Sequence, residues 1–417
     1  MKKIICTLIC LSIVIGIFAN IPAVAKTSDE IVFDSPEEMA SYVLDNLDAF
    51  SQEYNQTVVL TSTTTEKHFF TPNYCEKQFS VQLIDSQEHA ICIDLDSNNG
   101  YIVVSKDAIL NISPNGNLNY LNDYCGTIYF STAENDFAYY ENDEYVFFNT
   151  SLNNNSHPSS ASYDGTQSNG VITQPYTYLN SRYGEVVLDD SEYLPAYYCT
   201  RFTQHQCSVY TRNGISEGNC SLVAMLTALT YFKNSGSLNN LPASTDTSTV
   251  TPSNDYFFQA AVSNGYIISQ TTVPALYFQL RQLAISSYGY TVRNGKQPDG
   301  SQNSSSINNS NTPTILETVC SYYGHDINAR QRLANIPNIK SQIKDGNPII
   351  WYTTNDSVYG DHAVVITGYS VYKTYSKVLG VQVCTNTITM ICIADGWNNM
   401  LVYYDWESAN GSFITFG

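Results

Sequence analysis

The chain has 417 residues, 43% of them hydrophobic and 13% aromatic, with 38 acidic against 19 basic side chains and a net charge of −19. That negative balance argues against DNA, RNA and anionic membranes as partners, because all three need clustered Lys and Arg. With charged residues at only 14%, the composition also lies outside that of disordered chains, and the length allows two folded domains.

Lys2 and Lys3, an apolar run from Ile4 to Ile21 and the small-x-small end Ala23-Val24-Ala25 read as a secretory signal, residues 1–25, so a secreted or cell-surface product is expected. The run approaches the length of a membrane span, but small residues stand where a peptidase cuts. No later segment could cross a bilayer, so no membrane association is expected after signal removal. Nine cysteines remain outside the signal. In an exported protein an odd count leaves at least one thiol free, and the other eight could pair in any of 105 ways. The sequence contains neither C-x-x-C nor H-E-x-x-H, so no metal or cofactor is expected.

Ser35-Pro36-Glu37-Glu38, followed by Met39, Val43, Leu44 and Leu47 at helical spacing, predicts a capped amphipathic helix. His89 to Asp96, the turn signal Asn98-Asn99-Gly100 and Tyr101 to Val104 predict a β-hairpin, with further strands around Val81 and Ile128. Residues 26–149 therefore read as a small α+β domain. From Thr150 to Gly170 the chain is almost all Ser, Asn, Gly and similar small or polar residues, which predicts a flexible linker, set at 150–174. A second domain follows over 175–417, interrupted by a polar tract from Asn294 to Asn311 that reads as an exposed loop.

Cys220 stands just before a helical pattern in which Leu222, Val223, Leu226, Leu229 and Phe232 share a side, ending near Asn234 to Gly236. A cysteine at a helix N-terminus feels the positive end of the dipole, which favours its thiolate. Gly360-Asp361-His362 opens an apolar strand, and the strand from Thr387 to Ala394 ends at Asp395-Gly396-Trp397. Antiparallel pairing of these strands would bring His362 beside Asp395. Asp361, next to His362, would point to the opposite face. An imidazole within reach of a thiolate and an orienting carboxylate is what a cysteine nucleophile requires. The other histidines show no paired spacing and read as structural or solvated.

Gly218-Asn219-Cys220 opening a helix, Ile343 to Ile350 leading into Gly360-Asp361-His362-Ala363, and Ala394-Asp395-Gly396-Trp397 resemble papain-superfamily cysteine peptidases, most closely the bacteriocin-leader-peptidase-like branch. The resemblance spans about 213 to 405. It implies an α+β, papain-like catalytic domain with an N-terminal helical half and a C-terminal antiparallel sheet, preceded by a small α+β domain. It further implies Cys220 as nucleophile, His362 as general base and acid, Asp395 as the orienting residue, and a peptide or protein substrate. Residues 90 to 109 are similar to the inhibitory pro-segment of streptopain-like enzymes, so the first domain is expected as an intramolecular inhibitor of a zymogen, with a permanent accessory domain as the alternative. Where the family usually has Gln six residues before the nucleophile, this chain has Gly214. Asn213 or Asn219 is then the expected second oxyanion donor, beside the backbone N–H of Cys220. The competing expectations are a non-catalytic surface or interaction protein on the same scaffold and another Cys-His-Asp enzyme, an acyl transferase or cell-wall amidase.

Overall fold

A computed structural model describes residues 31–59, 69–148 and 172–417, apart from positions 73, 85, 96–99, 115, 117, 122–123, 133–135, 142–143, 213–214, 217, 264, 269–270, 291–306, 357 and 407–410. The expected signal peptide, the linker up to 171, the turn residues Asn98 and Asn99, most of the polar tract and Asn213 lie outside the described residues.

Ser35 starts the first helix. Its Oγ accepts the N–H of Glu38 at 3.2 Å while the Glu38 carboxylate accepts the N–H of Asp34 at 2.8 Å, so two otherwise orphaned donors are satisfied. Helix α1 (Pro36–Asp45) runs into α2 (Leu47–Tyr54), and both bury one apolar face. Seven strands follow: β1 (Cys75–Leu83), β2 (His89–Leu95), β3 (Tyr101–Val104), β4 (Ile109–Ser113), β5 (Tyr129–Ser131), β6 (Asp136–Glu141) and β7 (Glu144–Phe147). The hairpin expected around Gly100 is β2 paired with β3, with Ile91 opposite Val104.

Beyond Ile172 come α3 (Pro175–Tyr183), β8 (Val187–Tyr193), α4 (Gln204–Cys207), β9 (Tyr210–Arg212), β10 (Ile215–Ser216), α5 (Cys220–Ser235) and β11 (Thr247–Thr249). Next are α6 (Phe258–Ser263), β12 (Ile267–Ile268), β13 (Thr272–Pro274), α7 (Ala275–Ser287), α8 (Thr312–Tyr322), β14 (Ala329–Leu333) and α9 (Ile336–Lys344). The chain closes with β15 (Ile349–Asp356), β16 (Gly360–Val378), β17 (Val381–Ala394), β18 (Val402–Asp405) and β19 (Gly411–Phe416). Helix α5 is buried on every side from Ser221 to Phe232, not on the single face that the spacing of its leucines suggests, because it lies inside the largest hydrophobic cluster. Gly236, at φ +87°, terminates it in the left-handed conformation.

The expected papain-like division into a helical half and an antiparallel sheet, with a separate α+β domain in front, is overturned. One mixed sheet of 14 strands takes in both parts of the chain, in the order β14-β19-β15-β16-β17-β4-β3-β2-β1-β5-β6-β7, with β18 joined to β17 and β8 to β16. Two pairings in it are parallel, β1 with β5 and β17 with β4. The physical reason is the length of the β16–β17 hairpin, which pairs from Val365–Ala394 out to Val378–Val381. Its distal tip carries Val378, Val381 and Val383, which share a core with Met39, Val43, Phe50, Ile93 and Ile102 of the first domain. Exposed, these valines would forfeit about 1.5 kcal/mol or more each. The turn at the tip is tight: Leu379 and Gly380 both have positive φ, +49° and +81°, as a two-residue turn matched to strand twist requires. Leucine is strained in that conformation. Packing against the shared core and a 3.1 Å hydrogen bond from Tyr42 Oη to its carbonyl hold it there.

Candidate active site

Three elements bring the predicted residues together. Cys220 is the first residue of α5, where the leading N–H groups of the helix have no acceptor within it. His362 is near the start of β16, opposite Thr353 of β15, and Asp395 directly follows the end of β17, whose Ala394 faces Val365. The Cys220 thiol and the His362 imidazole lie close enough for each to shift the titration of the other. His362 and Asp395 are buried, at 6% and 0% exposure, whereas Cys220 retains partial exposure. Cys220 is thus half-buried while His362 is shielded.

Asp395 meets the imidazole through an unexpected atom. His362 Nε2 lies 2.7 Å from the main-chain carbonyl oxygen of Asp395. A carbonyl only accepts, so Nε2 carries the hydrogen and Nδ1 is the nitrogen left to face the sulfur. The Asp395 carboxylate accepts the N–H groups of Trp397 at 3.0 Å and Asn398 at 2.8 Å, and the Asn398 amide at 2.6 Å. It thus holds the turn whose carbonyl orients the histidine. Gly396, at φ +72°, gives that turn its left-handed step. The rings of Trp397 and Tyr359 flank His362, with centroids 4.5 Å and 5.7 Å away.

Burial alone pushes the Cys220 thiol up, but the hydrogen bond and charge of His362, the Ala363 N–H and the Ser221 hydroxyl together outweigh it, leaving the thiol below its usual value. For His362 burial works downward, and the bond to Cys220, its charge, the Asp395 carbonyl and the Asp395 charge overcome it, so the imidazole is raised. Opposite shifts in two neighbouring groups favour the thiolate–imidazolium pair.

Asn219 is 1% exposed, and its amide donates to the Gln204 carbonyl at 3.3 Å and to Tyr277 Oη at 2.9 Å. Both amide hydrogens are thereby committed, and the residue braces the loop before Cys220. Asp361 is exposed, on the face opposite His362. Of the remaining histidines, His89 contacts Ser80 and Glu37, and His325 accepts the N–H of Asn240.

Sequence reasoning missed Gln204. Its N–H donates to the Gly396 carbonyl at 2.8 Å, and its own carbonyl accepts from Asn219, so it clips the loop before Cys220 to the Asp395 turn. A Cβ built on Gly396 would come within 3.9 Å of Gln204 Cγ and 4.0 Å of Nε2. The Gln204 amide makes no hydrogen bond to another described residue. One signal was available: Thr203 and Gln206 form a reciprocal capping box, with bonds of 3.0 and 3.2 Å, that starts α4. Among the described residues no group of three or more metal-ligating side chains assembles, no helix is long and apolar enough to cross a membrane, and all nine cysteines outside the signal are free thiols. No protein-family model matches this chain, and no curated protein matches it.

Proposed function

We propose that this chain is an exported cysteine peptidase with Cys220 as nucleophile. The observation that carries the reading is the convergence of Cys220 at the start of α5 with a buried His362 whose Nε2 donates to the Asp395 carbonyl. The motifs that resemble bacteriocin-leader-peptidase-like enzymes supply the substrate class, a peptide bond. The thiolate adds to the scissile carbonyl carbon, and the carbonyl π electrons move onto oxygen. The N–H of Cys220 and the unpartnered amide of Gln204 are the donors proposed for that oxyanion. The imidazolium gives its Nδ1 proton to the leaving amine as the C–N bond breaks, leaving a thioester. Water, deprotonated by the same nitrogen, hydrolyses it and regenerates the pair. Trp397 and Tyr359 keep bulk water from the imidazole throughout.

The test is hydrolysis of a mixed peptide library by residues 26–417 and by Cys220→Ala. Loss of cleavage in the variant supports the reading, and equal cleavage by both would sink it.

A second observation bears on the first domain. Its contacts with the hairpin include Tyr375 and the tip at Val378 to Val383, and Tyr375 is 13 residues beyond His362 on β16. At strand rise this is roughly 43 Å from the imidazole. Docking there favours an accessory domain that steadies the sheet. A zymogen's restraint from this position would act through the hairpin, not by covering Cys220.

A further inference from the structure

The strand pair that carries His362 is irregular where the histidine sits. Thr353 of β15 faces His362 of β16 and Asp356 faces Gly360, so β15 takes three steps where β16 takes two. One residue on β15 is extra, and such a β-bulge bends its strand and re-aims the side chains beside it. Gly360, at φ +63°, supplies a left-handed step opposite Asp356. Two side chains bridge the place where the register shifts. Thr353 Oγ1 accepts the His362 N–H at 2.9 Å and donates its one hydrogen to the Gly360 carbonyl at 2.8 Å, nearer than the His362 carbonyl at 3.3 Å. Asp356 Oδ1 accepts the N–H groups of Val358 at 2.8 Å and Tyr359 at 2.7 Å, and its Oδ2 accepts the Tyr404 hydroxyl from β18.

Building on the peptidase reading, we propose that Thr353 and Asp356 are positioning residues for His362, locking the bulge so that the imidazole stays aimed at the Asp395 carbonyl. Thr353 fixes the backbone of His362 itself, and Asp356 fixes the ring packed beside it. Tyr359, whose N–H the carboxylate holds, stacks on the imidazole with centroids 5.7 Å apart and planes 11° apart, and Tyr404 packs on Tyr359 at 6.0 Å. One carboxylate thus ties a main-chain turn to the aromatic contacts of the histidine. Thr353, Tyr359, His362 and Tyr404 are all buried, so bulk water does not compete for these bonds, and a group left single there is costly. Proton transfer by an imidazole needs close placement, since a misplacement of about 1 Å can cost on the order of 10²-fold in rate. The Asp395 carbonyl anchors the ring at Nε2, and Thr353 and Asp356 anchor the start of the strand from which it projects. The sequence carries no sign of this, because a bulge exists only relative to the partner strand.

The experiment is proton–nitrogen NMR of residues 26–417 carrying nitrogen-labelled histidine, with the His362 ring N–H assigned by its absence in His362→Gln, beside kinetics on a library peptide. Wild type is expected to show a His362 Nε2–H protected from solvent exchange by its bond to the Asp395 carbonyl. Thr353→Val keeps the β-branched shape and loses the hydroxyl. It is expected to speed exchange of that proton at least about tenfold and to lower kcat by about 10- to 10²-fold with KM little changed. Thr353→Ser should restore both. Asp356→Asn keeps an oxygen for the two N–H groups and loses its charge and the acceptor for Tyr404. It should act in the same direction, and it carries the test if Thr353→Val does not fold. Variants that melt earlier but keep the wild-type ring N–H and kcat overturn the proposal and leave the peptidase reading standing. A wild type without a protected His362 ring N–H overturns the proposal and removes the geometry beneath the peptidase reading. A wild type that shows the proton and cleaves no peptide overturns the peptidase reading alone.

Discussion

His362 is oriented by the backbone of Asp395, not by its side chain: Nε2–H donates to the carbonyl at 2.7 Å, while the carboxylate holds Trp397 and Asn398. The carboxylate still acts on the imidazolium through its charge. Asp395→Asn keeps an oxygen that can accept the two turn N–H groups, and loses that charge together with the acceptor for the Asn398 amide. Its expected effect is a fall of about tenfold in kcat/KM, equivalent to one pKa unit of electrostatic support. Where a carboxylate itself fixes the histidine tautomer, the same change costs ~10⁴-fold, and a loss of that size would refute the carbonyl assignment. Asp395→Ala should be the more damaging, because the buried turn donors lose their acceptor.

The paired shifts of Cys220 and His362 set the pH profile. The thiolate–imidazolium state exists above the lowered value of the pair and below the raised one, so kcat/KM should rise through the first and fall through the second. His362→Ala removes the largest influences opposing burial of the thiol, and Cys220 should then titrate higher than in the wild type, with at least about 10²-fold less turnover. The same groups tie stability to pH. Raised His362 contributes stability that is complete below the unfolded histidine value and is lost as pH rises through its folded value. Lowered Cys220 contributes stability present above the unfolded thiol value and lost as pH falls through its folded value. Thermal melts of wild type and Cys220→Ala across pH measure the coupling. Identical pH dependence in the two would remove it.

Gln204 supplies a sharper test of the oxyanion. Gln204→Ala removes one amide donor and leaves the main-chain clip to Gly396 and Asn219 in place. Turnover should fall by about 10²-fold or more with KM little changed. Alkylation of Cys220 should proceed at the wild-type rate, because no oxyanion forms in that reaction. Unchanged kcat, or alkylation slowed as much as hydrolysis, would exclude Gln204 as the donor.

What could be read from the sequence follows the range of the interactions involved. The start of α5 and its stop at Gly236, and the cap at Ser35, are short-range chemistry and were legible. Pairing of β16 with β17 was legible too, since two apolar strands with polar ends leave few registers. Which atom of Asp395 meets His362 was not, because a turn two residues long decides it. Nor was the single sheet. First and second parts join through β4 and β17, which meet at one parallel pair, Ile109 with Val383, 274 residues apart. No local pattern encodes such a contact. Read alone, each segment looked like a self-contained domain, and a detachable pro-segment followed from that appearance.

The shared sheet makes the opposite expectation for the first domain. The valines at the hairpin tip are fully buried against α1, α2, β2 and β3, and Tyr42 bonds the tip itself. Proteolysis between residues 150 and 170 breaks the chain without touching that core. After such a cut the two fragments should co-elute on size exclusion, and peptide hydrolysis should be unchanged. Val381→Asp then puts a carboxylate into the shared core, at a cost of several kcal/mol unless it is neutralised, and in the cut protein this variant should release the first domain. If release leaves Cys220 alkylation at its original rate, the domain steadies the sheet and does not govern the site. Spontaneous separation on cutting, accompanied by a rise in activity, would instead restore the inhibitory role for residues 26–149.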